Sequence, residues 1–219
     1  MKTKSKALLL ALCAVLLVAA SVLGTLAYLT SQDQVTNTFS VGSVSMTLDE
    51  QDVKPDGTKD TENVDNDTLN ALNRVQANEY HLLPGHKYIK DPIIHIAENS
   101  ESCWVFVEVE NGIDAYEAET TTGENAYTDI AGQITDNGWK PLDGVANVYY
   151  MEYSKGQDDR NLEVFQEFKI ADNAEKVVGW SSITPDTTKI NVTGYAVQKD
   201  GFATAIAAWN ATFGASTQG

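Results

Sequence analysis

The sequence predicts a mainly β protein, an antiparallel β-sandwich with short helices, preceded by an N-terminal signal helix. Three observations carry this. Seven or so short runs alternate apolar with polar residues or concentrate aromatic and β-branched ones, with turn-forming residues between them. No helix-length crossover separates the runs, so strands that return antiparallel in two layers are the natural solution. Residues 1–27 stand apart from everything that follows in composition.

That first segment reads as a secretory leader. Lys2, Lys4 and Lys6 form a basic start, residues 7–23 are apolar and uncharged, and Thr25-Leu26-Ala27 is a small-x-small cleavage site. Cleavage is expected between Ala27 and Tyr28, leaving residues 28–219 as one domain. The rival is a retained membrane anchor, although the apolar run of 17 residues is short for a bilayer span. Cys13 follows Leu12 inside the apolar run, which does not fit a lipid-attachment site. Contact with a membrane is expected only through this segment before cleavage.

The remaining elements follow in order. Residues 41–48 alternate, with Val44, Met46 and Leu48 on one face. Residues 49–67 are polar and acidic around Pro55-Asp56-Gly57 and read as a surface loop. In 67–77, Leu69, Leu72 and Val75 recur every three residues and predict a short helix. Residues 89–96 predict a strand that Pro92 demotes to an edge or bulged position. Residues 102–110 give the clearest strand, with Cys103, Val105, Val107 and Val109 opposite Trp104, Phe106, Glu108 and Glu110. A helix is predicted over 129–135, stopped by Asn137-Gly138. Strands are predicted over 145–153, 164–170 and 189–198, with a marginal one over 177–180. An Ala-rich helix over 204–213 closes the chain.

Charge and cysteine content narrow the class. Loss of the leader leaves 12 Lys and Arg against 31 Asp and Glu, a net −19, which repels nucleic acid and anionic lipid. A 42% apolar content and 19 aromatics argue for a packed core. Cys103 alone survives cleavage, so no intramolecular disulfide forms, and it reads as a buried small hydrophobe.

Several blocks then resemble a known family. The leader ends G-T-x-A at Gly24 to Ala27, and T-F-S-x-G-x-V-x-M-x-L follows from Thr38. Further blocks are Leu83-Pro84-Gly85, Lys90-Asp91-Pro92, Val148-Tyr149-Tyr150 with Phe165 and Ile170, and Tyr195 onward through Asp200-Gly201-Phe202 to Trp209. Together they resemble the proteins exported with a SipW-type signal peptidase, typified by TasA-like biofilm proteins and camelysin-like proteins. The resemblance implies a jelly-roll-like sandwich and a bacterial source. It also implies subunits whose N-terminal strand completes the sheet of the next copy. Here that strand is residues 28–39, in which Tyr28, Leu29, Val35 and Phe39 are the apolar and aromatic positions. An ordinary first strand paired within its own subunit is the alternative.

Chemistry-bearing motifs are sparse. Camelysin-like relatives bring a metallopeptidase reading, yet the chain has three histidines, His81, His86 and His95, and no H-E-x-x-H. No G-x-S-x-G elbow or phosphate loop occurs, and Cys103 sits mid-strand. Residues 60–67 offer oxygen ligands at close spacing but lack the glycine of a calcium loop, so a solvated loop is expected. The expectation is therefore a non-enzymatic, cofactor-free structural protein of the extracellular matrix or cell surface. Its expected partners are the SipW-type peptidase and other copies of itself or sibling matrix proteins. A monomeric adhesion module and a camelysin-like metallopeptidase are the alternatives.

Overall fold

The computed structural model describes residues 30–33, 44–60, 74–123, 126–184 and 188–214, the first four as backbone. The leader, the Ala27–Tyr28 bond, and Leu29, Val35 and Phe39 of the expected assembly strand lie outside the described residues, as do 61–73.

Within the described residues the chain is mainly β. The strands are β1 (Thr30–Asp33), β2 (Met46–Gln51), β3 (Arg74–Val75), β4 (Lys87–Ile89), β5 (Ile93–Ile96) and β6 (Cys103–Asn111). They continue with β7 (Lys140–Pro141), β8 (Val148–Tyr153), β9 (Asn161–Glu163), β10 (Glu167–Lys169) and β11 (Ile190–Gln198). Two short helices accompany them, α1 (Ile130–Asp136) and α2 (Ala205–Thr212). Every strand pairing is antiparallel. A five-stranded sheet runs β1-β11-β6-β8-β7, a four-stranded sheet runs β3-β2-β5-β9, and β10 pairs with β4.

One core joins the sheets. Cys103, Val105, Val107 and Val109 of β6 face Met46 and Leu48 of β2 and Ile94 and Ile96 of β5. The layers meet closely at Gly194 of β11, where a Cβ would lie 3.1 Å from the Met46 Cε and 3.3 Å from the Ile94 Cδ1. The opposite face of β6 is also apolar in its first half, because α2 covers it. Trp209 of α2 sits 5.2 Å from Phe106 and 5.3 Å from Tyr195, ring centre to ring centre. Two-sided burial is what a strand with apolar residues at both parities requires. Each buried aromatic or branched side chain there contributes roughly 1.5–3 kcal/mol relative to exposure.

The helices start where capping chemistry places them. Asp129 accepts from the Gly132 amide at 2.7 Å, and Thr204 accepts from the Ala207 amide at 3.3 Å. Ile130 and Ile134 of α1 are buried one turn apart. The Tyr88 and Phe168 rings stack at 4.9 Å with Tyr80 edge-on to Phe168 at 5.2 Å, which anchors the β4–β10 pair to the core.

Five expectations need correction. The expected strand over 89–96 is two strands in different sheets, because Pro92 has no amide proton to continue a ladder; β5 is then an interior strand, not an edge. Of residues 164–170, 164–166 only link β9 to β10, and the strand is confined to β10 with Ile170 bridged to Glu117. Residues 177–180 form turns and the start of a 3-10 helix at Trp180–Ser182, with Gly179 left-handed at φ +99. The expected helix over 67–77 ends in strand at Arg74–Val75, and the expected loop from 49 begins as the end of β2, with Glu50 and Gln51 buried. Residues 53–60 are then a tight hairpin turn, in which Val53 bridges Lys59.

Candidate functional site

The edge of the five-stranded sheet is the first candidate. β11 is nine residues long and pairs along its whole length with β6 on one side. On its other side β1 covers Gly194 to Val197, in the register Thr30↔Val197 to Asp33↔Gly194. A strand of this length holds its place through few backbone hydrogen bonds. An uncovered β11 would present free amides and carbonyls to any extended segment.

A polar row crosses the outer face of the four-stranded sheet. Antiparallel register sets His95 of β5 directly opposite Asn161 of β9 and diagonal to Asp49 of β2. His95 Nδ1 lies 2.7 Å from Asn161 Oδ1, and Nε2 lies 2.9 Å from Asp49 Oδ1. With an acceptor at each nitrogen, the imidazolium is the form that donates both bonds. The hydrogen bond to Asp49 raises the His95 pKa, against the opposing effect of burial. Burial pushes Asp49 upward, but donation from His95 and Arg74 outweighs it and holds the carboxyl below its ordinary value. Arg74 forms an ion pair with Asp49 and another with Asp91 at 3.2 Å, and donates to the Asp49 and Asp91 carbonyls at 3.0 and 2.9 Å.

Next to that row lies a buried group of different composition. Glu50 (5% exposed) continues the core-facing parity of Met46 and Leu48, and forms an ion pair with Lys90 (8% exposed). The Asn78 side-chain amide donates to Glu50 Oε1 at 2.9 Å and to the Gln51 carbonyl at 2.8 Å, and its oxygen accepts from the Val53 amide at 3.0 Å. A buried ion pair of this kind requires close geometry and full hydrogen bonding to offset desolvation.

An open cleft of about 480 Å³ lies beside α1, lined in part by Glu117, Asp129, Asn147 and Tyr149. Glu117 is committed to the fold. It accepts from the Tyr127 hydroxyl at 2.7 Å, the Ile130 amide at 2.8 Å and Asn111 Nδ2 at 2.9 Å. Burial raises its pKa despite these donors.

The histidines are dispersed by role. His81 and His86 are exposed and flank the Pro84-Gly85 turn, while His95 belongs to the Asp49–Asn161 row. Among the described residues, no group of three or more His, Cys, Asp and Glu is disposed to hold a metal ion, and no helix is long and apolar enough to cross a membrane. Cys103 is fully buried, and burial pushes its thiol up to about 12. The Glu50–Lys90–Asn78 group escaped the sequence reading because Glu50 opens an acidic run. Its signal was the alternation of residues 44, 46 and 48 continuing one step further.

No protein-family model, curated protein or solved structure matches this chain.

Proposed function

We propose that this chain is an exported structural protein of the bacterial extracellular matrix or cell surface, of the SipW-dependent class. In this reading it is a non-enzymatic jelly-roll-like sandwich preceded by a signal helix. Release at Ala27–Tyr28 by a SipW-type peptidase frees residues 28–39 to complete the sheet of the next copy. The observation that carries the reading is the place of β1: the segment just after the expected cleavage bond lies on the outer edge of β11. Backbone pairing of that kind is indifferent to which copy supplies the strand. The acidic surface and a core large enough to stand without disulfides are compatible with life outside the cell.

The test is assembly. Mature protein starting at Tyr28 is expected to form high-mass species on gel filtration and fibres by electron microscopy, and a variant lacking residues 28–39 is expected to stay monomeric. Mature protein that remains monomeric across pH and salt would refute polymerisation. It would favour the second reading, a monomeric cell-surface binding module. The specific observation behind that reading is that β1 pairs with β11 within a single chain.

A further inference from the structure

We propose that Lys90 and Asn78 join in an intramolecular isopeptide bond, formed by the folded chain itself with Glu50 as the proton shuttle. Such a bond stands apart from the assembly reading and does not rest on it.

The three roles that amide exchange needs are each filled by one contact. Lys90 supplies the nucleophile, and its Nζ is held against Glu50 Oε2. The leaving group is the Asn78 Nδ2, which donates to the other oxygen of the same carboxylate, Oε1, at 2.9 Å. Amine and amide nitrogen therefore flank one carboxylate, which can take a proton from the first and hand it to the second. The Val53 amide donates to Asn78 Oδ1 at 3.0 Å, where negative charge develops when the carbonyl carbon is attacked.

Glu50 and Lys90 are both buried, so the carboxylate and the amine meet away from bulk water. Tyr80 lies alongside, and burial, then the charges of Glu50 and Asp91, push its phenol pKa up. Its hydroxyl is fixed by donation to the Ile89 carbonyl at 2.9 Å, and its ring packs on Tyr88 and Phe168. Asn78 is only partly buried, which leaves a way out for ammonia.

The step balances without any co-reactant. Glu50 accepts a proton from the Lys90 ammonium, and the freed Nζ lone pair attacks Asn78 Cγ. The Cγ–Nζ bond forms, and the intermediate's negative oxygen rests on the Val53 amide. Glu50 then protonates Nδ2, the Cγ–Nδ2 bond breaks, and ammonia leaves. The second Nζ proton is lost to water or back through the carboxylate, which ends as it began. The product is a neutral amide in place of the Lys90 ammonium, with the Glu50 carboxylate left beside it as an acceptor for the new amide N–H. It links the segment after β3 to the β4–β5 junction, in a chain whose mature form has one cysteine and hence no internal disulfide.

Intact-mass measurement of the purified protein, with its N-terminus determined on the same sample, tests this directly. The expected mass is the sequence mass less one ammonia. A tryptic digest is expected to yield a branched peptide in which the Asn78 and Lys90 segments remain joined, although trypsin cuts between them at Lys87, with no cut after Lys90. Lys90→Met and Glu50→Gln are each expected to restore the full mass and the two separate peptides. Full mass in the wild-type protein overturns the proposal, whatever the variants do. So does an ammonia loss that persists in Lys90→Met, since Asn111-Gly112 or Asn137-Gly138 could lose ammonia by closing a succinimide.

Discussion

Replacing His95 by Ala removes two hydrogen bonds that cross three adjacent strands, and the cost should depend on pH. In the folded protein the imidazolium donates to Asp49 at 2.9 Å and to Asn161 at 2.7 Å. Hydrogen bonds to charged groups contribute roughly 1.5–3 kcal/mol when dry. The two side chains of the ion pair are 29% and 25% exposed, so solvent screens part of that. We expect about 1–2 kcal/mol lost near pH 5.5, after discounting for exposure. The His95 pKa is raised on folding, so its contribution is full below the ordinary imidazole value of 6.5 and fades as pH rises through its folded value. The Asp49 pKa is lowered, so its contribution is present above the ordinary 3.8 and fades as pH falls through its folded value. The pair is therefore strongest between those limits. At alkaline pH, above the folded His95 value, the neutral ring keeps one ordinary hydrogen bond, about 0.5–1 kcal/mol. Urea unfolding followed by tryptophan fluorescence at both pH values measures the difference. A loss in His95→Ala that is equal at the two pH values, or larger at the alkaline one, would refute the account of the row as a charged bridge.

Substitutions at three further positions test the packing and a helix cap. Gly57→Ala should cost about 2 kcal/mol or more, because φ is +80 and the new Cβ would lie 2.7 Å from the Tyr88 Cα; a lower thermal midpoint checks it. Phe168→Ala, at 1% exposure, should cost about 3–5 kcal/mol in urea and weaken the near-UV signal of the Tyr80–Tyr88–Phe168 cluster. Asp129→Ala removes the cap on the Gly132 amide and should cost about 1 kcal/mol, while Asp129→Asn should cost much less; amide exchange in the first turn of α1 reports both.

Legibility in the sequence followed how local the cause was. β6 could be read almost residue by residue, since alternation marks its inner face and the extra Trp104 and Phe106 mark a second buried face. Both helices were legible from local runs, the Ile130–Ile134 pair and the Ala-rich stretch, while their caps at Asp129 and Thr204 went unread. β3 was not, because two residues become strand only when Glu50 and Gln51 lie beside them. Residues 49–51 misled for the same reason: acidic composition reads as solvent-facing until Lys90 and Arg74, distant in sequence, supply the counter-charges.

By itself the sequence determined a β-rich, acidic chain with short helices and one cysteine outside an export-like leader, because composition and alternation act within a few residues. Tertiary structure alone decided which strands share a sheet, that Pro92 parts two of them, and that Asp49, His95 and Asn161 form a row. It also placed Glu50 between Lys90 and Asn78. Each of these depends on register between strands far apart in the chain, and register is set by the packing of the whole core.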